Sequence, residues 1–397
     1  MRLPWAVTRE GGLTGSKFAF LLLFSSAALL LVAPPTPAGP QQTSIAQLEQ
    51  AVASAHGMPD ADVAKTLAGM QLTERLSASR LATLEAALPG DKSQQQLLIL
   101  ADQSAFLSPP DDEIAQDPNP NAAATRQMLV QLVNYVNTTL RQLPNLMATR
   151  DTTAFEDRPE QDIQEATAFV SLSYLPVHYV GESSVVVTFR DRKEVIDEAA
   201  TKAIKHGSKT GGLATTGEFG PILSTVLGDA IKGKITWARW EHGTGGTLAV
   251  FHYSVPDDKS NYRVQFCCIV NGYDSSGQSE QTVFDERAAY HGEIVFNPTD
   301  GSILRITVEA EMAPKGLVAN AGIAIDYAPT EIAGRSYICP SKSVSLLLAH
   351  TAQQKGMQAR SHYQGQAKTY LNDLVFTHYH RFGSEVHLLP ADTTAQQ

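Results

Sequence analysis

His242-Gly243-Thr244-Gly245-Gly246 is one stretch of this 397-residue chain whose residue types suggest chemistry. It matches the glycine-rich HGGG stretch that offers backbone N–H groups to an oxyanion. The same residues also make a glycine hairpin turn. With no G-x-S-x-G elbow anywhere in the chain, the turn is the better reading. His378-Tyr379-His380 puts two imidazoles on one face of a strand, with His350, His362 and His387 available as a third metal ligand. No H-E-x-x-H accompanies them, and two histidines without a partnering carboxylate motif fall short of a site, so neither metal nor cofactor is expected. Asp300 with Glu309, and Asp257 with Asp258, are carboxylates in turns and on a strand with nothing in the sequence to pair them as acid and base. Lys202, Lys205 and Lys209 stand among glycines without a G-x-x-x-x-G-K-[ST] pattern, which reads as a loop and not a phosphate cradle. Cys267 and Cys268 are adjacent on a strand and face opposite sides. One of them can pair with Cys339 in an oxidising compartment, and Cys268 equally suits a buried small hydrophobe. No catalytic residue is assigned and no enzyme is expected.

The elements that would position these residues begin after an export signal. Arg2, Arg9 and Lys17 precede an uncharged run from Phe18 to Ala33, and Thr36-Pro37-Ala38 offers small residues for cleavage. The run is shorter than the roughly 20 residues that span a bilayer comfortably, so residues 1–38 read as a secretory signal, with an uncleaved membrane anchor as the alternative. The expected location is periplasmic or secreted. Hydrophobic residues make up 43% of the chain, enough for a sizeable core, and the formal charge of −10 argues against a nucleic-acid partner.

Residues 39–145 read as helical. Ser44 and Gln47 fit a capping box, followed by Ile45, Leu48 and Val52 at helical spacing. Asp60 caps a second helix, Thr73 opens a third, and Ser93 with Gln96 suggests a further capping box. The acidic, proline-bearing stretch 108–121 reads as an exposed linker. A longer helix follows from Ala122, with Met128, Leu129, Leu132, Val136 and Leu140 on one face.

From residue 146 the period changes to two. Strands are expected at 146–155, 168–180, 185–190, 193–196, 235–241, 248–255, 261–270, 290–296, 303–309, 323–332, 335–348 and 371–382. One helix is expected at Phe219–Ile231, a mobile loop at 199–217 and a surface loop at 271–285. Residues 389–397 read as a disordered tail. Trp237, Phe251, Tyr253, Phe266, Ile294, Phe296, Leu304, Ile306 and Val308 gather on one face. Arg239, Glu241, Arg263, Gln265, Arg305 and Thr307 take the other. One helix cannot cover so much apolar sheet. The expected fold is α+β: a small helical region, then a large antiparallel sheet over 146–388 curled into a half-open barrel. Trp237, Phe251, Tyr253, Phe266, Ile294 and Phe296 would form the wall that receives an apolar ligand.

The runs KGKITWARWE, YHGEIVFNPTDGSILRITVEAEM and IDYAPTEIAGRSYICPSKSV, with LPNLMATRDTTAFED upstream, resemble a family of exported proteins of acidobacteria-like soil organisms, a resemblance that carries over no activity. The order G-x-I-x-x-[DN]-P followed by Y-x-P and Y-x-x-P is more distantly similar to the hairpins of periplasmic lipoprotein-carrier and sigma-factor-regulator half-barrels. That likeness implies a concave sheet taking a lipid or acylated peptide. The expected function is a non-enzymatic exported binder of such a ligand. The alternative is an envelope scaffold whose N-terminal helices hold a protein partner.

Overall fold

The computed structural model describes residues 40–158, 175–191, 193–196, 212–213, 218–273, 279–313, 316–350, 353–355, 362–364 and 366–381. The expected signal, the first part of the 168–180 strand, most of the 199–217 loop and the 389–397 tail lie outside the described residues.

The chain opens with β1 (Gln41–Thr43), α1 (Ile45–Ser54), α2 (Asp60–Ala68), β2 (Met70–Leu72), α3 (Ala78–Ala87) and α4 (Asp91–Gln103), with β1 parallel to β2. The capping box on α1 is formed: Gln47 donates its backbone N–H to Ser44, and Ser44 donates to the Gln47 side chain. Ile45, Leu48 and Val52 are buried against Leu67, Leu97 and Leu100 in a core of their own. Two expected caps are built differently. Pro59 takes the N-cap of α2, and Asp60 instead accepts the backbone N–H groups of Lys92 and Ser93 at 3.1 and 2.9 Å, in the first turn of α4. Ser93 opens no capping box, because α4 starts at Asp91 and buries Ser93 inside its first turn. One carboxylate thus satisfies orphan N–H groups of a distant helix, which ties α2 to α4.

Next come β3 (Ile114–Ala115), α5 (Ala122–Gln142), β4 (Leu146–Arg158), β5 (Leu175–Arg190), β6 (Lys193–Ile196), β7 (Gly212–Leu213) and α6 (Pro221–Ala230). The strands β8 (Lys234–Gly243), β9 (Gly246–Val255), β10 (Arg263–Tyr273), β11 (Ser279–Arg287), β12 (Tyr290–Phe296), β13 (Ile303–Ala310), β14 (Val318–Ile332) and β15 (Arg335–His350) follow. β16 (Gln353–Lys355), β17 (His362–Gln364) and β18 (Ala367–Arg381) complete the described chain. Eleven strands form one antiparallel sheet in the order β3-β8-β9-β12-β13-β14-β15-β18-β4-β5-β6. The fold is therefore α+β, as the alternation predicts, and the sheet is open, with β3 at one edge and β6 at the other.

The apolar face of this sheet is covered by more than one helix. Met128, Leu132 and Val136 of α5, Ile222, Val226 and Leu227 of α6, and Val264 and Phe266 of β10 share one core with Phe251, Ile294 and Ile306. Much of the expected 271–285 loop is strand: β10 runs on to Tyr273 and pairs antiparallel with β11 from Ser279, while 274–278 lie outside the described residues. Only alternate residues of β11 need be apolar, since Phe284 is buried while Val283 and Asp285 are exposed. The 108–121 stretch is mostly exposed but docked, with Pro109, Pro110 and Ala115 buried. β3 pairs with β8, and Trp237 and Trp240 donate their indole N–H groups to Asn119 Oδ1 and Pro118 O. It covers what would otherwise be a bare edge strand.

Two bulges set the faces. One beside Ala238 lets Trp237 and Trp240 share the apolar side while Arg239 and Glu241 share the other. A second skips Leu304, so that Phe296 pairs with Ile303. Ile303 is buried, and Leu304 is only half-buried, against the expected alternation.

Two glycines permit close approaches. Gly301, at φ 78°, ends the Asn297–Asp300 turn, and a Cβ there would lie 2.6 Å from the Gln131 carbonyl of α5. Gly322 on β14 admits the Phe106 ring, which would stand 2.8 Å from a Cβ. Gly322→Ala is expected to lower stability by about 1–3 kcal/mol through overpacking. Urea unfolding of Gly322→Ala, Phe106→Leu and the double variant tests this: the double variant should be more stable than the summed single effects predict.

Candidate functional site

The face of the sheet that carries Arg239, Glu241, Glu293, Thr307 and Arg305 is not wet. The helical layer lies on it, and charged groups make the contact. Arg75, from the segment before α3, reaches Glu241 at 2.7 Å with both side chains almost buried. Arg239 bridges Glu241 and Glu293 at 2.5 and 2.6 Å. Arg305 pairs with Asp326 and donates to the Ala105 carbonyl at 2.6 Å, just past the end of α4. Burial works against the charge on Arg239, but its hydrogen bonds with Glu293 and Glu241 hold the guanidinium protonated. The same bonds override burial at Glu293 and keep it below the ordinary carboxylate range.

The turn Ala105–Ser108 is a wedge. Phe106 sits over Gly322, and a cavity opens on either side. On the β12 side is a polar space of about 100 Å³, bounded by Arg75, His252, His291, Glu293, Thr307 and Glu309. His252 stands 3.4 Å from Glu293, and His291 is 4.0 Å from Glu309 and 3.5 Å from Glu311. Burial raises Glu309 above the ordinary range, with His291 opposing.

On the other side of the wedge is a groove of about 340 Å³. Its walls are β2 with the end of α2, the face of α4 that carries Gln96, Ile99 and Gln103, and the strands β5, β14, β15 and β18. Leu72, Ile99, Leu107, Val177, Leu346 and Leu348 supply apolar surface, and Gln71, Gln96, Gln103, Asn320 and Thr369 supply uncharged hydrogen-bonding groups. Among the described residues, no Asp, Glu, Lys, Arg or His lines it.

Beneath α4, next to the groove, lies a buried charge cluster. Lys342 on β15 reaches Asp102 of α4 at 2.7 Å and Asp373 of β18 at 3.3 Å. Asp102 is 1% exposed and Asp373 5%. Burial first, then Asp373, pushes Asp102 up to about 8, with Lys342 opposing. Burial also raises Asp373. Despite its own burial, Lys342 is held protonated by the two carboxylates.

The residues singled out from the sequence fall elsewhere. Phe251, Tyr253, Phe266, Ile294 and Phe296 are within the packed core, each no more than 2% exposed, and Trp237 is half-buried at its edge. Phe251 stacks on Phe296 at 5.6 Å and meets Trp237 edge-on at 5.5 Å. The void beside this core, between α5, α6 and the sheet, holds about 10 Å³. That is close to the volume of one water molecule. His242–Gly246 is a hairpin with Thr244-Gly245 at its tip. His378 and His380 lie exposed at a bulge, with His378 at φ 51°. Among the described residues, no three His, Cys, Asp or Glu side chains are placed to hold a metal ion. Cys339 is a buried free thiol, whereas Cys267 is disulfide-bonded, so the expected bridge to Cys339 is not formed. Cys339 is on β15 of the large sheet and Cys267 on β10 of a separate one. Asp257 and Asp258 form a surface turn, with Asp257 paired to Arg287. Lys202, Lys205 and Lys209 lie outside the described residues.

The groove is not legible in the sequence because its walls come from seven separate segments. A partial signal was present: Gln96, Ile99 and Gln103 follow helical spacing, and Asp102 and Asp373 interrupt the apolar runs LLILADQ and YLNDLVF. Comparison with protein-family models, curated sequences and solved structures finds no match.

Removing one partner of the buried Arg75–Glu241 contact, as in Glu241→Gln, is expected to cost about 3–5 kcal/mol in urea unfolding at neutral pH. The Glu293 contribution has a defined pH sense. Its folded pKa is depressed, so the stabilisation is present above the unfolded carboxylate value and is lost as pH falls through the lower folded value. The stability gap between wild type and Glu293→Gln should therefore shrink on acidification, which urea midpoints across that range will show.

Proposed function

We propose that this chain is an exported, non-catalytic binding protein whose groove between the helical layer and the sheet takes an uncharged ligand with an apolar body, of the lipid or acylated-peptide class. The observation that carries this is the composition of the groove: about 340 Å³, floored by aliphatic side chains and rimmed by amides and hydroxyls, with no charged side chain among the described residues. Its volume falls in the range of small-ligand sites, which pair apolar walls with a few fixed polar groups. A charged ligand would leave its counter-charge unsatisfied there. The leader-like segment at 1–38 supports export, with an envelope location where such ligands are abundant. Among the described residues no helix is long and apolar enough to cross a membrane.

The test is titration of the purified protein with N-phenylnaphthylamine, a neutral fluorescent apolar probe, followed by competition with lipid and acyl peptide. Saturable binding is expected. Leu346→Trp, which fills the groove, should weaken it at least about ten-fold, equivalent to about 1.4 kcal/mol. Ile294→Val, in the aromatic-rich core, should lower stability by about 0.5–1.5 kcal/mol and leave affinity unchanged. No saturable binding, or equal binding by Leu346→Trp, overturns the groove as the site.

A further inference from the structure

The end of α4 is held by a cluster that, among the described residues, has more carboxylates than cations. Asp102 of α4, Asp373 of β18 and Asp326 of β14 face it, against Lys342 of β15 and Arg305 of β13. Arg305 is committed to Asp326 and to the Ala105 carbonyl. Among the described residues, one ammonium is left for two carboxylates, and Thr153, which β4 places opposite Asp373, brings no charge. Asp102 Oδ2 and Asp373 Oδ1 are both buried with no hydrogen-bond partner among the described residues. Two carboxylates sharing one small buried space do not both ionise readily, so the cluster closes with one proton retained.

The cluster also sits where a small movement matters. Asp102 is on the turn of α4 that presents Ile99, Gln103 and Ser104 to the groove, and Lys342 is on the strand that supplies Leu346 and Leu348 to its floor. The Lys342–Asp102 contact thus spans the two walls.

We propose that Asp102, Lys342 and Asp373 form a proton-controlled latch that holds α4 against the sheet and so sets the width of the groove. With the proton in place the charges balance and α4 is seated. When the proton leaves, two buried anions compete for one lysine, and the balance is restored by lifting Asp102 toward water. This deepens the binding assignment above and rests on it for its consequence, though the latch itself is measurable without a ligand.

The sign follows from linkage. Asp102 has a folded value near 8, above its unfolded one, so docking is strongest below the ordinary carboxylate range and weakens as pH rises toward 8. Opening of α4 should increase roughly fifty-fold between pH 6 and pH 8 and level off above that. The experiment is amide hydrogen exchange of residues 91–103 in the purified protein across this range, corrected for intrinsic exchange, beside N-phenylnaphthylamine titrations at the same pH values. In Asp102→Asn, and independently in Asp373→Asn, Lys342 faces a single carboxylate. Protection of α4 should then vary less than about two-fold once the linked proton is gone. Wild-type protection that does not change with pH, or variants that keep the wild-type dependence, overturn the latch. Probe affinity is expected to follow α4 opening in wild type and to be flat in the variants. If exchange behaves as expected while the probe binds at no pH, the latch stands and the binding assignment falls. If the probe binds with a pH-independent affinity while α4 opens, binding stands and control of the groove by the latch is refuted.

Discussion

Charges buried between two layers have to be neutralised where they lie, and that constraint organises this molecule. The large sheet turns Arg239, Glu241, Glu293, Arg305, Asp326, Lys342 and Asp373 toward the helical layer. The helical layer answers with Arg75, the Ala105 carbonyl and Asp102. Such pairs add little net stability compared with apolar packing, but leaving one unpaired is costly, so they favour a single docked arrangement.

The two faces of the sheet consequently behave differently. On the apolar side, non-directional burial lets α5, α6 and the β10–β11 hairpin fill space until little remains. On the other side the contact is made by a few ion pairs and by one aromatic wedge over Gly322. Directional contacts fix separation without filling the gaps between them, and the polar cavity and the uncharged groove are those gaps. The concavity expected on the aromatic-rich side is closed by packing. The larger cavities are on the side that strand alternation marks as solvent-facing.

Much of the local structure was legible. The α1 capping box, the α5 stripe of Met128, Leu132 and Val136, Pro221 in the first turn of α6 and the turn ending at Gly301 all follow from interactions within a few residues. The misreadings share a cause. Asp60 and Ser93 look like caps of their own helices, but Asp60 satisfies another helix 32 residues away. The polar residues 279–285 form a strand because pairing with β10 satisfies their backbone. Leu304 leaves the apolar face because a bulge shifts the period by one. In each case pairing with another element outweighs the preference of the local segment.

Taken alone, the sequence determined the class of the fold, the change from helical to strand period near residue 146, and which strand faces are apolar, because hydrophobic periodicity depends only on neighbours along the chain. Tertiary structure alone decided that the polar face is a docking surface, that Lys342 stands between two carboxylates from different elements, and that a groove with no charged side chain among the described residues opens beside them. Those features depend on distances between segments up to about three hundred residues apart, and a linear pattern carries no information about which buried charge will meet which.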